Sequence, residues 1–183
     1  VLLTVWDGGG NDTYDMSNYS TAVAIDLNPG SYSITSNAQL SYLGGGNYAH
    51  GNVYNAYLFN NDARSYVENA IGGGGNDILI GNAVANRLDG GGGNDVLIGG
   101  GGDDVFVFSV GSGADTIVDF IAGIGTPDEI DLTGLVGISS FADVLAHAVQ
   151  VGLDTILDFG AGAVLTLQNV SVVSLASNDF LFI

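Results

Sequence analysis

A nine-residue repeat is the feature that most limits how this chain can fold. From Gly72 onward there are four consecutive copies: GGGGNDILI (72–80), GNAVANRLD (81–89), GGGGNDVLI (90–98) and GGGGDDVFV (99–107). Position 8 of every copy is large and apolar. Position 6 is an acid in three of the four copies, in the order Asp77, Asn86, Asp95 and Asp104. A fixed short period indicates stacked units, each of which contacts mainly its neighbours.

Each copy has the pattern of a glycine-rich turn followed by a short strand. Glycine in the first positions permits positive φ angles and leaves room for carbonyl groups to point inward. The last three positions alternate around the apolar position 8, as in a strand with one face in a core. Two turns and two strands make a coil of 18 residues. Stacked coils of this length predict a parallel β-roll in which Asp77 lies beside Asp95, and Asn86 beside Asp104.

Carboxylates stacked one coil apart repel each other unless a cation lies between them. Inward carbonyls and paired carboxylates make an all-oxygen site, which suits Ca²⁺ better than the smaller, octahedral Mg²⁺. The 183-residue chain has a formal charge of −18, and 18 of its 20 acids are Asp, the short acid of turns and oxygen cages. The alternative is a glycine-rich solenoid without metal, which leaves the paired acids unneutralised.

Composition also argues against several classes of partner and chemistry. Strong negative charge disfavours nucleic acids and anionic membrane surfaces. No apolar run is long enough to predict stable membrane insertion. Cysteine is absent, so disulfides and thiolate zinc sites are excluded. An extracellular domain without disulfides needs another staple, and a metal ion is the obvious candidate. The opening VLLTVWDGGG lacks the basic segment of a signal peptide and is typical of a piece of a longer protein.

The segments on either side of the repeats predict further strands. Residues 1–71 contain alternating stretches such as TAVAIDL (21–27), interpreted as strands and loops that flank the roll of residues 72–108. Their aromatic residues are interpreted either as core and loop packing or as a surface that docks a preceding catalytic domain. Residues 109–183 predict a C-terminal antiparallel β cap with one helix over 139–149, begun by Ser140 and Asp143. The predicted fold class is therefore all-β, a parallel β-roll flanked by strands.

No catalytic constellation is predicted for this chain. Its two histidines, His50 and His147, stand far apart, and no HExxH or GxSxG sequence occurs. The expectation is that this stretch of chain is not itself an enzyme.

The repeats resemble the GGxGxDxUx nonapeptide of the RTX (repeats-in-toxin, hemolysin-type) calcium-binding family. More narrowly, WDGGGNDTYDMSNYS (6–20) and VENAIGGGGNDILIGN (67–82) are similar to the C-terminal domain of serralysin-type metalloproteases. The similarity continues through AIDLNPGSYS (24–33), DTIVDF (115–120) and EIDLTGL (129–135). This resemblance implies a secreted, extracellular bacterial protein, a type I secretion route, and an N-terminal catalytic domain of a zinc metallopeptidase as the partner within the parent chain. The closing SNDFLFI is similar to an uncleaved C-terminal secretion signal, or is simply a last strand.

The resemblance also implies calcium ligands on facing turns, as backbone carbonyls and carboxylates. The first set is Gly73, Gly75 and Asp77 facing Gly90, Gly92 and Asp95. The second set is Asn82 and Val84, with Asn86 as a further candidate, facing Gly99, Gly101 and Asp104; it is expected to bind more weakly because Asn86 is neutral. A third set is Gly91, Gly93 and Asp95 facing residues 108–113, where Asp115 substitutes for a missing acid. Outside the repeats the implied ligands are Asp7, Gly9, Asp12 and Glu68, with an upstream partner strand.

Three functions follow as hypotheses. The first is a module that stays unfolded at low cytosolic calcium, passes through the type I secretion machinery, and folds outside, where calcium is abundant. The second is a calcium-dependent adhesin or carbohydrate-binding module that uses the Tyr-rich loops at 42–66. The third is the RTX module of an alginate-modifying enzyme, which the WDGGGNDTYD stretch disfavours relative to a protease.

Overall fold

The computed structural model describes residues 2–125 and 128–183, and within them the chain is almost entirely β. The strands are β1 (Leu3–Val5), β2 (Thr13–Asp15), β3 (Ala24–Asp26), β4 (Tyr32–Ser33), β5 (Tyr42–Gly44), β6 (Asn47–Tyr48), β7 (Val53–Asn55), β8 (Asn69–Ile71), β9 (Ile78–Ile80), β10 (Arg87–Asp89), β11 (Val96–Ile98), β12 (Val105–Val107), β13 (Ala114–Ile117), β14 (Glu129–Asp131), β15 (Ala148–Val151), β16 (Asp154–Asp158), β17 (Val164–Leu167) and β18 (Phe180–Leu181). The helix α1 spans Phe141–Ala146. Single 3-10 turns occupy Asn37–Gln39, Phe59–Asn61, Ala63–Ser65, Val172–Ser174 and Ser177–Asp179.

Two large sheets share one core, and successive strands of the repeats alternate between them. The six-stranded sheet has the order β18-β14-β12-β10-β8-β2, and the seven-stranded sheet has the order β15-β16-β17-β13-β11-β9-β3. All pairs in the six-stranded sheet are parallel. Leu79 pairs with Leu97 and Leu88 with Phe106, each 18 residues apart. The predicted all-β parallel β-roll is confirmed.

The core is built from one inward-facing residue of each short strand, which in the repeats is the middle one. Because side chains alternate along a strand, position 8 of each repeat points between the sheets while its neighbours point outward. The residues that fill the core in this way, all at most 4% exposed, are Ile25, Leu79, Leu97, Ile117 and Leu167 from one sheet, and Ala70, Leu88, Phe106, Ile130 and Phe180 from the other. Full burial of each Leu or Ile contributes about 1.5–3 kcal/mol.

The parallel sheets extend beyond the repeats of residues 72–107 in both directions. The strands β2 and β3 form an earlier coil, which pairs with β8 and β9. At the other end β13 pairs with β17, and β14 with β18, also in parallel. Strand pairing needs only backbone groups and one buried side chain per strand, so coils continue where the turns have lost their glycines. Residues 1–71 and 109–183 therefore contribute strands to the same two sheets.

Antiparallel pairing at the C-terminal end is limited to β15 with β16 and β16 with β17. The predicted helix over 139–149 begins as expected, because Ser140 accepts a backbone hydrogen bond from Asp143 and donates its hydroxyl to that carboxylate at 2.8 Å. Its predicted end is wrong, since α1 stops at Ala146 and Ala148–Val151 is a strand. Pairing with β16 overrides the helical pattern there.

The connection between β3 and β8 is a separate small β structure. Its strands β4 and β7 form a three-stranded sheet with β1, in the order β1-β7-β4, and β5 and β6 form a hairpin. Asn82 of the roll holds both ends of this connection, donating its side-chain amide to the carbonyl oxygens of Val67 at 2.8 Å and Leu27 at 3.3 Å. No helix in the described residues has the length and apolar character needed to cross a membrane.

Candidate metal centre

A carboxyl or carboxamide side chain stands directly before most strands of the roll. In the six-stranded sheet these residues form one column: Asp12, Glu68, Asn86, Asp104, Asp128 and Asp179. In the seven-stranded sheet the register aligns a shorter column: Asp77, Asp95 and Asp115. Most members of both columns are buried, at 3% exposure or less, although a charged group at such positions is costly unless it is paired.

Backbone hydrogen bonds link the shorter column from coil to coil. The backbone N–H of Asp77 donates to Oδ1 of Asp95 at 2.7 Å, and that of Asp95 donates to Oδ1 of Asp115 at 2.9 Å. At the start of the column, the N–H of Val23 donates to Oδ1 of Asp77 at 2.8 Å. One oxygen of each carboxylate therefore fixes the register of the preceding coil. The structure brings Asp77, Asp95 and Asp115 together as the sequence predicted.

The second oxygen of each carboxylate faces the glycine-rich turn of its own repeat. Oδ2 of Asp77 accepts the N–H of Gly73 at 2.6 Å, whereas Oδ2 of Asp95 is buried and has no hydrogen-bond partner. A Cβ atom added at Gly90 would overlap Oδ2 of Asp95, and one added at Gly99 would overlap Oδ2 of Asp104. Glycine at the first position of the repeat is therefore required by the inward-turned carboxylate.

The pKa of Asp95, Asp104 and Asp115 is raised to about 7, mainly by burial and in smaller part by neighbouring carboxylates, against the opposing effect of backbone hydrogen bonds. The pKa of Asp128 is also raised by burial. In the folded chain without a cation, Asp95, Asp104 and Asp115 are partly protonated near neutral pH. A positive charge in the turns would favour the ionised form of all of them.

The turns of neighbouring coils pack with their carbonyl groups against the glycines of the next coil. Gly91 and Gly93 have positive φ angles of 86° and 126°, and a Cβ at either would overlap the carbonyl oxygen of Gly73 or Gly75. The N–H of Gly92 donates to the Gly73 carbonyl at 2.8 Å, which leaves that oxygen a second lone pair. The first predicted ligand set thus occupies two facing turns.

The second predicted set has the same arrangement with one change. The N–H of Gly101 donates to the Asn82 carbonyl at 2.8 Å, and a Cβ at Gly102 would overlap the backbone of Val84. Asn86 stands where the other repeats have Asp, and its amide donates to the Glu68 carbonyl at 2.9 Å. The backbone N–H of Asn86 donates to Oδ1 of Asp104 at 2.8 Å, so the column is continuous across the substitution.

Acids outside the repeats meet at the first turn of the chain. The N–H of Asp12 donates to Oε2 of Glu68 at 2.9 Å, and the N–H of Gly9 donates to Oδ2 of Asp7 at 3.0 Å. Oδ2 of Asp12 is buried and has no hydrogen-bond partner. Burial and the nearby charge of Asp7 raise the pKa of Asp12. The structure therefore places all four predicted residues of this region in one loop cluster.

Three acids that belong to the columns or contact them were not singled out from the sequence. Asp128 accepts the N–H of Asp104 at 3.2 Å, Asp179 accepts that of Gly123 at 3.0 Å, and Asp119 accepts that of Gly99 at 2.9 Å. The step from Asp104 to Asp128 is 24 residues instead of 18. A search at fixed spacing misses such residues, although an acid directly before an apolar alternating stretch marks Asp128 and Asp179.

Other aspartates end strands and have a local role. In each case Oδ1 accepts the backbone N–H two residues further on, which closes an Asx turn. These residues are Asp15, Asp26, Asp89, Asp131 and Asp158. The excess of Asp therefore has two structural roles: carboxylates in the buried columns and Asx turns at the ends of strands.

Among residues 2–125 and 128–183, no group of three or more His, Asp or Glu side chains is arranged to hold a metal ion. The donors in the glycine turns are of another kind, namely backbone carbonyls with one or two carboxylates. Such hard oxygen donors in flexible geometry suit Ca²⁺. The unpartnered Oδ2 of Asp95 and turns that only glycine can form are the features that fit this ion.

Comparison with known families settles the relationship of the chain. The family model for the Peptidase M10 serralysin C terminal matches residues 1–182. The chain belongs to the serralysin C-terminal family. Metallopeptidase AprA of Pseudomonas marginalis is 35% identical to this serralysin C-terminal domain over 192 aligned residues, which cover 99% of the chain and 36% of AprA. Serralysin of Photorhabdus laumondii is 42% identical over 89 residues, covering 48% of the chain and 15% of that protein.

The serralysin C-terminal domain thus spans little more than a third of AprA and a smaller share of the other relative. A solved structure also shares its fold. The extracellular lipase LipA from Serratia marcescens matches with a TM-score of 0.56 and 32% identity, over 65% of this chain and 18% of the lipase chain. The same roll therefore occurs in a protein named for a different activity, so the roll alone does not specify the chemistry of a parent protein.

Proposed function

We propose that this serralysin C-terminal domain binds several calcium ions and folds only when they bind, as part of a secreted zinc metalloprotease. The observation that carries the proposal is the buried aspartate column, in which Oδ2 of Asp95 lacks a partner inside glycine-only turns. Bound calcium would supply the positive charge that buried, stacked carboxylates require.

Glycines and aspartates have different roles in holding the ions. The glycines let carbonyl groups approach the next coil, and each aspartate joins two coils through one oxygen and offers the other to the turn. The proposed ligands in the roll are Gly73, Gly75, Asp77, Gly90, Gly92 and Asp95; Asn82, Val84, Gly99, Gly101 and Asp104; and Gly91, Gly93 and Asp115 with Asp95. Those of the first loop are Asp7, Gly9, Asp12 and Glu68.

Folding would be controlled by calcium because the charge opposes it otherwise. With a net charge of −18 and 30 glycines, the open chain is favoured by repulsion and by backbone entropy. Extracellular calcium modules have dissociation constants of about 10⁻⁴–10⁻³ M, far above the range of cytosolic calcium sensors. The chain would therefore stay open inside the cell, pass through the type I secretion machinery, and fold outside by mass action.

The protease parent is supported by the family model and by the metallopeptidase relatives. In this proposal the folded domain packs beside an N-terminal catalytic domain, which carries the zinc site. The region of the gene upstream of Val1 tests that part: a HExxH sequence is expected there, and an upstream region of another enzyme class would contradict it.

A calcium titration tests the folding role. Circular dichroism in excess chelator should show a mainly unfolded chain, and added calcium should produce the strand signal with a midpoint near about 10⁻⁴–10⁻³ M. A strand signal already complete in chelator would refute the proposal. Magnesium at the same concentration is expected to give little folding, because it prefers a smaller octahedral site and retains its water.

Two neighbouring aspartates provide a matched pair of variants for the same titration. Asp104→Asn removes a buried carboxylate of the column, while Asp103→Asn removes the same charge from an exposed position. The calcium midpoint should rise roughly tenfold for Asp104→Asn and change little for Asp103→Asn. Equal midpoints in both variants would show that only net charge matters.

A further inference from the structure

The connection between β3 and β8 has a composition unlike the rest of the chain. Residues 27–61 contain no Asp, Glu, Lys or Arg, although the chain as a whole carries a charge of −18. The same 35 residues hold five of the eight tyrosines and seven asparagines. Tyrosine combined with Asn, Ser and Gly is the composition of recognition surfaces, because Tyr offers a rigid amphipathic ring and the small polar residues offer adaptable hydrogen bonds.

A cleft in this region has a volume of about 330 Å³. Its lining comprises Leu2 before β1, Thr4 on β1, Leu43 and Tyr48 on the β5–β6 hairpin, Ala49 and His50 after the hairpin, and Tyr54 on β7. The lining is mostly apolar, with a few hydroxyl and imidazole groups. Size and character match the small end of ligand pockets, which range over about 300–1,000 Å³.

Aromatic rings stand on both walls of the cleft. On the hairpin, Tyr48 packs against Tyr42 with ring centroids 5.2 Å apart. On the opposite wall, Tyr32 supports Tyr54 at 5.6 Å and His50 at 5.9 Å. Tyr48 is nevertheless 57% exposed, so its ring faces the cleft and solvent. The walls are held by ring contacts, and a face of Tyr48 is left for a ligand.

The tyrosine hydroxyls are oriented by the backbone. The hydroxyl of Tyr54 accepts the N–H of Gly51 at 3.2 Å, and that of Tyr42 accepts the N–H of Gly46 at 3.1 Å. Each of these hydroxyls keeps its own hydrogen for donation. Tyr54 lines the cleft, whereas Tyr42 stands behind Tyr48, so the cleft combines apolar ring faces with one tyrosine hydroxyl that is held by the backbone and can donate.

We propose that this cleft binds a neutral oligosaccharide. Sugar rings present apolar C–H faces to aromatic side chains and hydroxyl groups to polar ones, which is the pairing that this lining offers. An anionic polysaccharide would be repelled by the charge of the chain. A cationic ligand would find no carboxylate in the lining. The proposal does not depend on which residues hold calcium, so it can fail without affecting the function proposed above.

Isothermal titration calorimetry of the calcium-loaded chain tests the proposal. The probes are maltohexaose, cellohexaose, laminarihexaose and chitohexaose, with an alginate oligomer as the acidic comparator. At least one neutral probe should bind with a dissociation constant below about 1 mM, and the alginate oligomer should not bind. No binding of any neutral probe at about 10 mM, or equal binding of the acidic one, would overturn it.

Variants locate the binding site. Tyr48→Ala removes an exposed ring and should weaken binding roughly tenfold, while Tyr48→Phe keeps the ring and should weaken it less. The matched control is Tyr57→Ala, which removes an 81% exposed ring of the same insertion outside the cleft and should leave binding unchanged. Equal loss in the Tyr48 and Tyr57 variants would overturn the assignment to this cleft.

Two further measurements exclude other occupants. In a longer protein that includes the upstream region, oxidative labelling of Tyr48 should remain high without sugar and fall when the bound hexaose is added. Protection of Tyr48 without sugar would assign the cleft to an intramolecular contact and overturn the proposal. Sedimentation should show that Tyr48→Ala leaves the oligomeric state unchanged; loss of a dimer would assign the cleft to a second copy and also overturn it.

Discussion

The backbone N–H of Asp77 donates a 2.7 Å hydrogen bond to Oδ1 of Asp95, which lies 18 residues later and one coil further along the roll. The other oxygen of Asp95 is buried and has no partner. The first oxygen fixes how the coils stack, and the second is the one that we propose as a calcium ligand. A change at Asp95 should therefore have opposite effects with and without calcium.

We expect Asp95→Asn to raise the unfolding temperature without calcium and to lower it with calcium. In excess chelator near about pH 8, an osmolyte is added so that part of the chain folds without calcium. There the variant should unfold at a higher temperature than the wild type, because a neutral amide avoids the cost of a buried charge. In about 10 mM calcium it should unfold at a lower temperature, since the site has lost an anionic ligand. Thermal unfolding followed by circular dichroism measures both.

The control is Asp89→Asn, because Asp89 uses its Oδ1 to accept the N–H of Gly91 at 2.9 Å. Asparagine presents the same oxygen, so the Asx turn is kept. This variant should change the unfolding temperature little in either condition. A shift of the same sign for Asp95→Asn in chelator and in calcium would contradict the two roles assigned to its oxygens.

Stability without metal should fall as pH rises through neutrality. Burial raises the pKa of Asp95, Asp104 and Asp115 to about 7 in the folded chain, above the usual 3.8. The folded state therefore binds more protons than the unfolded state between these values, and its stability decreases as the pH rises. In chelator with the same osmolyte, the midpoint of thermal unfolding should be higher at about pH 5 than at about pH 8. An unchanged or rising midpoint would show that these carboxylates are not buried without metal.

Calcium binding near neutral pH should release few protons. In the unfolded chain the carboxylates have pKa values of about 3.9, so they are already ionised before calcium binds. Titrations at about pH 6.5 in two buffers of different ionisation enthalpy should therefore give the same apparent binding enthalpy. Different enthalpies would show that the chain without calcium is already folded with these groups partly protonated, which would contradict the proposed folding role.

Glycine at the first repeat position should be far less replaceable than glycine at the third. A Cβ at Gly90 would overlap Oδ2 of Asp95, whereas a Cβ at Gly74 would have no neighbour closer than 3.9 Å. Neither residue has a positive φ angle, so the comparison measures the steric overlap of the added Cβ without a contribution from backbone strain. In calcium, Gly90→Ala should cost about 1–3 kcal/mol in the free energy of unfolding, and Gly74→Ala well under about 1 kcal/mol. Equal costs would refute the close packing of turn and carboxylate.

The repeat carried enough information to predict the central coils and the pairing of their acids. A period of nine residues determines where each strand, each turn and each acid of the column lies. It therefore predicts Asp77 beside Asp95 and Asn86 beside Asp104, and the hydrogen bonds between these residues agree. The alignment of Asp115 with this column was also expected, although its spacing from Asp95 is 20 residues. These predictions succeeded because short-range spacing and strand pairing coincide in a roll.

The outer coils could not be predicted in the same way. Strand β3 has no glycine-rich turn before it, and β2, although it follows Gly8–Gly10, is separated from β8 in sequence by a long connection. Asp128 lies 24 residues after Asp104, so no fixed period reveals it. The hairpin of β15 and β16 competes with a helical pattern, and only the tertiary pairing decides between them. In each case a long-range contact determines the structure.

Asn86→Asp should change the stability without calcium and the affinity for calcium in the directions opposite to those expected for Asp95→Asn. The amide of Asn86 donates to the Glu68 carbonyl at 2.9 Å, and a carboxylate would face that carbonyl without a hydrogen to share. In chelator near about pH 8, with the osmolyte that folds part of the chain, the variant should therefore unfold at a lower temperature than the wild type, because it loses a hydrogen bond and gains a charge. In calcium, the restored acid should raise affinity at the second set of turns, by roughly tenfold.

Asn76→Asp is the matched control, since it makes the same change at an exposed turn position whose Oδ1 accepts the N–H of Asn94 at 3.0 Å. An aspartate keeps that acceptor, so neither calcium affinity nor stability should change much. Calorimetric titration with calcium distinguishes the two variants. If Asn86→Asp binds calcium no more tightly than Asn76→Asp does, the acid column is not what holds the ion at that turn, because the substitution completes the column without effect.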